Sequence, residues 1–343
     1  MAAPSRSGLR SPDPDTPDAR PFARRLLLFV ALLGGLWASF LAAHLAMNFT
    51  LPGSDAINAL AQETIHRGTL FPDSVTALRV VAFGDSRTQT GFVPDVFDAA
   101  SENVAYSYNL GLPNETRFVE VIRTLVRRGE IPDVVLLTNS WADAPEPSGL
   151  GLLRDDHRMM DELFPFRGLL TNTARFLLRS TSRGGPVAYA RQVREYVDEA
   201  RRNRGYFFVE AMSLFPGHRL PETFRAEGDD EDLVETRDLE PSGPLFEELV
   251  ALRKEAGFRA IYVPTYRRVG SRHASSPNSA QAAALAAYGL ERVGPDYWLY
   301  PNSYFSDRSH LNPQGAQVYT RDLWNLLAPI LREEASQRKL ARR

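Results

Sequence analysis

The chain contains no cysteine. Disulfides, thiolate metal sites and a cysteine nucleophile are therefore excluded. Histidine is scarce: there are six, at 44, 66, 157, 218, 273 and 310, and none falls in a His-Glu-x-x-His or similar spacing. A metal or other cofactor is accordingly not expected. An excess of charge of either sign is missing too. A net charge of -2 argues against general nucleic-acid binding, which needs a basic face. Internal repeats are absent. What remains is ordinary: 43% hydrophobic and 24% charged residues suit a folded protein, and 343 residues allow one large domain or two small ones.

Charge is absent most conspicuously near the N-terminus. Residues 1–23 are rich in Pro, Ser, Asp and Arg without an apolar period, which predicts a disordered tail. Arg24 and Arg25 then precede an uncharged run from Leu26 to Ala43, which continues to about Phe49 with only His44 and Asn48 strongly polar. Roughly 20 such residues cross a hydrocarbon core as a helix. A buried helix of a soluble protein is the alternative, but it would show a polar face, and this run has none. A cleaved signal peptide would have a shorter core and a small-x-small end, where His44-Leu45-Ala46 stands instead. The reading is an uncleaved signal anchor over 24–49, with 26–47 in the membrane. Arginines at 6, 10, 20, 24 and 25 lie before it, and the next after it is Arg67. The positive-inside rule predicts a cytoplasmic N-terminus and an exported, extracytoplasmic remainder.

After a stem at 50–77, with a short helix at 54–67, a compact apolar run at 78–83 ends abruptly in Gly84-Asp85-Ser86. It reads as a buried strand stopping at a turn. A helix from Pro94 to about Ala100, a strand at 104–111, a helix at 115–128 and a strand at 133–139 follow. An insertion at 142–240 breaks this rhythm. It carries an amphipathic helix at 187–204, whose arginines 191, 194, 201, 202 and 204 read as a solvated face. Its acidic stretch at 227–240 lacks calcium-loop spacing and reads as a mobile loop. A helix at 244–256, a strand at 258–264, a short fifth strand at 297–300 and a helix at 314–331 close the domain, assigned to 78–335, before a basic tail at 336–343. Strands alternating with helices imply a parallel sheet covered on both faces.

A serine at a strand end is a weak nucleophile until a base takes its proton. The base is offered near the C-terminus, where Asp307-Arg308-Ser309-His310 precedes a helix. An Asp three residues before a His lets the carboxylate hold one imidazole nitrogen while the other faces a serine on a neighbouring strand end. The catalytic candidates are therefore Ser86, His310 and Asp307. Asp85 reads as shaping the turn. Arg87 is either a contact for an anionic substrate or half of a structural ion pair.

The set resembles the SGNH/GDSL hydrolase family. Gly84-Asp85-Ser86 is similar to its first block and Asn109-Leu110-Gly111 to its second. Thr138-Asn139 stands where its Gly-x-Asn-Asp would be, and Asp307-x-x-His310 matches its last block. Thr138 replaces the glycine and Ser140 the aspartate. The resemblance covers 78–141 and 244–331. It implies a flavodoxin-like three-layer α/β sandwich with a central parallel sheet, and an oxyanion hole from the Ser86 and Gly111 backbone N–H groups and the Asn139 amide. With the anchor, it implies an envelope-facing esterase or O-acyltransferase acting on acyl, especially acetyl, esters of carbohydrate. Its partners would be that substrate, or a small ester, the membrane and envelope polysaccharide-modification proteins. A lipase or thioesterase of the same chemistry is one alternative. A non-catalytic glycan-binding or assembly protein on the same fold is the other.

Overall fold

The structure is a computed structural model and describes residues 19–47, 60–61, 64–65, 67–111, 118–138, 169–208, 213, 215–226, 244–269, 285–295 and 297–341. The expected tail up to residue 18, the acidic stretch at 227–240, much of the stem and Asn139 lie outside them. The chain is α/β, built on a five-stranded parallel sheet.

The sheet is assembled from β1 (Leu78–Gly84), β2 (Ala105–Gly111), β3 (Val134–Leu137), β4 (Arg259–Tyr262) and a three-residue strand, Leu290–Arg292, in chain order. Between the last two of these runs β5 (Thr265–Arg268), so Leu290–Arg292 is β6. The spatial order is β2-β1-β3-β4-β6. Counting only these strands gives 2-1-3-4-5, so the chain reverses direction across the sheet between β1 and β3.

Apolar runs without alternation suit strands buried on both faces. Period two still decides which face each residue serves. Val81, Phe83, Val135, Leu137 and Ala260 pack on one face, against Val119, Ile122 and Leu125 of α4 (Phe118–Arg127) and Leu249 and Leu252 of α7 (Pro244–Ala256). Val80, Ala82, Val134, Leu136 and Ile261 pack on the other, against Phe97 of α3 (Pro94–Ala100) and Tyr319, Leu323 and Leu327 of α8 (Pro313–Ala341). Helices thus cover both faces. Truncating a side chain such as the fully buried Phe83 costs about 3–5 kcal/mol in cores of this density.

Several expectations are corrected. The N-terminal helix, α1, spans Ala19–Met47 and so begins inside the expected tail, with Pro21 in its first turn, where a missing N–H costs nothing. Tyr297–Tyr300 is a strand, β7, but not the fifth of the central sheet. It pairs in parallel with β5 in a separate two-stranded sheet. Neither β5 (Thr-Tyr-Arg-Arg) nor the short β6 has the apolar run that marks a buried strand, so pattern alone passes over both. The C-terminal helix does not stop at 331. It continues to Ala341, because Arg338 pairs with Glu334 one turn back and reaches Asp133 before β3 at 2.6 Å. The expected basic tail is therefore largely helix.

Within the insertion, α5 (Leu169–Thr181) precedes α6 (Pro186–Arg202). Arg191, Arg194, Arg201 and Arg202 are exposed as expected, but Arg204 is not part of a solvated face. Its guanidinium pairs with Asp95 and Asp98 and lies 4.5 Å from the Tyr106 ring centroid. Burial pushes the Asp98 carboxyl above its ordinary value, and Arg204 offsets that only in part. The chain then runs along the sheet edge, where Asn109 N donates to the Arg204 carbonyl at 2.9 Å. Gly205 has φ +91, and a Cβ there would strike the Asn109 carbonyl, so only glycine passes.

Candidate active site

The carboxyl end of β1 lies at the point where strand order reverses, the position at which open α/β sheets leave a crevice for ligands. Gly84 ends the strand. A Cβ on it would overlap the hydroxyls of Thr88 and Thr138, which meet each other directly. Thr138, in place of a glycine in the resembled pattern, thus occupies space that Gly84 leaves open.

Asp85 caps the six-residue helix α2 (Ser86–Gly91): its Oδ1 accepts from Arg87 N at 2.8 Å. Its Oδ2 accepts from Arg87 Nε at 2.9 Å and pairs with the terminal guanidinium nitrogen at 2.8 Å. Both carboxylate oxygens are committed, so Asp85 builds the turn and is not placed as a base. Of the two readings of Arg87, the structure contains the ion pair. Ser86 is the first residue of α2, so its N–H has no carbonyl partner within the helix.

The candidate base, His310, comes from the other end of the chain. Asn312 starts α8: its Oδ1 accepts from Gly315 N at 2.9 Å, and its Nδ2 donates to the His218 and Ser303 carbonyls at 2.9 and 2.8 Å. An antiparallel bridge between Phe305 and Leu311 closes the loop that carries Asp307 and His310. Within that loop, Asp307 Oδ1 accepts from the backbone N–H groups of Ser309 and His310, each at 2.8 Å. Asp307 Oδ2 lies 2.8 Å from His310 Nδ1, and His310 Nε2 lies 2.9 Å from Ser86 Oγ.

Burial alone would raise the Asp307 carboxyl. The hydrogen bond and charge of His310, with the two backbone donors, outweigh burial and hold it below its ordinary value. The carboxylate is therefore kept ionised beside the imidazole. With the proton on Nδ1 facing Asp307, Nε2 presents a lone pair to the serine hydroxyl.

The oxyanion-hole candidates are brought together unevenly. Gly111 pairs with Gly84 in register at the ends of β2 and β1, and a Cβ on it would strike the Gln89 backbone of α2. Its N–H, however, donates to Asn109 Oδ1 at 2.8 Å. Asn139 lies outside the described residues. Asn109 itself has a part that sequence reasoning missed. Its Nδ2 donates to the carbonyls of Thr88, Gln89 and Phe92 at 2.9, 3.2 and 2.6 Å, clamping the helix that bears Ser86. The only sequence signal was a buried-strand position held by a polar residue.

Among the described residues, no group of three or more His, Asp or Glu is placed to hold a metal ion. A cleft lined by Thr76, Leu78, Val104, Asp133 and Arg338 lies at the opposite, amino end of β1 and β3, away from the serine. Comparisons of the chain with protein-family models, with curated proteins and with solved structures give no match in any of the three.

Proposed function

We propose that this chain is a membrane-anchored serine esterase or O-acyltransferase of the SGNH type, working through a Ser86-His310-Asp307 triad on acyl esters of envelope carbohydrate. The observation that carries the reading is the continuous relay from Ser86 Oγ through His310 to Asp307, with spacings of 2.9 and 2.8 Å, at the reversal point of the sheet. The 2-1-3-4-5 strand order supports the flavodoxin-like class that such enzymes share.

In this mechanism Ser86 Oγ attacks the ester carbonyl as His310 Nε2 takes its proton. Asp307 holds the imidazole tautomer and stabilises its cation. The tetrahedral oxyanion draws on the Ser86 N–H. Gly111 N–H joins only by exchanging its bond to Asn109, and the Asn139 amide is the third expected donor. Collapse expels the alkoxide, which takes the proton from Nε2 and leaves acyl-Ser86. Water then gives hydrolysis; a sugar hydroxyl gives transfer.

The anchor reading rests on α1, whose stretch Phe22–Ala43 has mean hydropathy 2.3 and is buried nowhere in the fold. The arginines preceding it support a cytoplasmic N-terminus and an extracytoplasmic catalytic domain. The carbohydrate substrate is carried by the resemblance to anchored envelope members of the family.

A fluorophosphonate probe tests the chemistry, because only an activated serine reacts. Labelling of the wild-type chain that disappears in Ser86→Ala, together with loss of 4-nitrophenyl acetate hydrolysis, is the expected result. An unlabelled, folded wild type would sink the esterase reading. It would favour the glycan-binding alternative, which the engagement of the Gly111 donor by Asn109 also supports.

A further inference from the structure

The α5–α6 hairpin has a core of its own. Phe176 of α5 and Tyr189 of α6 meet with ring centroids 5.1 Å apart, and Val193 completes a cluster separate from both faces of the sheet. Gly184 and Gly185, at φ +77 and +93, turn the chain, and Pro186 starts α6. The other end of α6 docks on the rest of the molecule, where Ala200 packs with Phe207 and Leu60.

The tip exposes an unusual mixture. Leu178 and Val187 are 74% and 77% exposed, more than any other large apolar side chain among the described residues, α1 included. Leu177 is exposed as well. Between Leu169 and Arg194 stand five arginines and no acidic residue. Arg175 and Arg179 lie one turn apart on α5. Val187, Arg191 and Arg194, at spacings of four and three, share the face of α6 opposite the buried Tyr189, Val193 and Ala200. Arg183 donates to Gln192 at 3.2 Å, but the other four arginines are exposed and no carboxylate of the described residues pairs with them. Like charges at these spacings repel, at a cost that an arriving counter-charge removes.

The tether limits what can meet this tip. Leu60, buried in the cluster with Ala200, follows Met47 at the end of α1 by thirteen residues, which span about 45 Å at most. The 17 residues of α6 measure about 25 Å. A bilayer crossed by α1 is therefore within reach of the tip.

We infer that the tip of the α5–α6 hairpin is a second membrane contact, which places Leu177, Leu178 and Val187 among the headgroups of an anionic lipid surface and sets the unpaired arginines against lipid phosphates. This extends the anchor reading of α1 and rests on it. Apolar side chains at the headgroup level with cations behind them are how peripheral helices hold anionic lipid. A polyanionic glycan would match the arginines but leave the leucines in water. A second copy of the chain would bring one row of arginines against another. Three side chains are too few to hold the chain alone, so the contact orients a domain that α1 already tethers.

Because the chain lacks cysteine, Leu178→Cys is a unique labelling site. The full-length chain, carrying a nitrobenzoxadiazole label there, is reconstituted into vesicles of about 3:1 phosphatidylcholine and phosphatidylglycerol with a quencher on the lipid chains. The quencher should lower the label's emission about twofold or more, and should spare a label at Lys254→Cys, exposed on α7. Pure phosphatidylcholine should remove most of the effect. So should Arg175→Gln, Arg179→Gln, Arg191→Gln and Arg194→Gln combined, with no change in thermal midpoint. Quenching that persists in either case comes from the dye or from the anchor, and overturns the inference. An unquenched Leu178 label, or equal quenching of the two labels, also overturns it. So does self-quenching of the dye without lipid quenching, which marks an interface between copies. If the fourfold variant does not fold, high salt takes its place: quenching lost in salt supports the contact, and quenching that survives overturns it. Alkaline extraction reports on α1 separately. A chain that resists extraction but has an unquenched label keeps the anchor and loses the hairpin contact. An extractable chain whose label is quenched beforehand loses the anchor and keeps the contact.

Discussion

Asp307 is the residue on which stability and the proposed chemistry both turn. Its carboxyl is held below the ordinary value near 3.8, so its ionised form favours the folded state. That contribution is fully present above the unfolded-state value and is lost as pH falls through the lower folded-state value. Unfolding midpoints should therefore drop below about pH 4, the range in which unfolded aspartates protonate. Asp307→Asn should show a shallower acid fall. Identical acid profiles for the two chains would contradict the assignment. The same variant leaves the imidazole without its acceptor, so ester turnover should fall by about 10⁴-fold, as in triads elsewhere. A loss below tenfold at full folding would remove Asp307 from the relay.

At the level of elements, a six-residue helix presents Ser86, the proposed nucleophile, and six residues are too few for a helix to hold itself. Three carbonyls of α2 and its C-cap are gathered by Asn109 Nδ2. Asn109→Ala leaves those buried carbonyls with water or nothing, at a cost of about 1–3 kcal/mol. Denaturant unfolding should register that loss. Because the residue acts by positioning Ser86, kcat for 4-nitrophenyl acetate should fall at least tenfold while KM moves little. An unchanged kcat in the folded variant would make Asn109 purely structural. The Asp85 cap and the Asn312 cap act in the same way, each orienting one end of the relay from a helix start.

For the whole molecule, the exposed α1 and the doubly covered sheet are separate hydrophobic solutions. Leu26, Leu27 and Leu32 are 51%, 70% and 73% exposed, whereas both faces of the sheet are closed by their own helices. Removing residues 1–47 should give a chain that stays soluble without detergent and unfolds at the same temperature as the full-length chain. Aggregation or a lowered midpoint would show that α1 packs on the domain. Full-length chain should instead require detergent or lipid.

The sequence by itself determined the apolar helix, the four longer strands of the central sheet and the Ser86, Asp307 and His310 set. Each is written in local pattern: an uncharged run, continuous apolar stretches cut by glycine, and an Asp three residues before a His. Only tertiary structure decided the rest. The separate β5-β7 sheet draws its burial from α2 and the 302–311 loop, not from its own apolar content. Arg204 left the solvated face because Asp95 and Asp98, about a hundred residues earlier, meet it in space. Asn109 became a clamp, and Gly111 lost a free donor, because hydrogen bonds to distant or neighbouring backbone depend on where strand and helix ends meet. Local pattern records which residues prefer burial or a turn. It does not record which polar groups will face each other once the chain is folded.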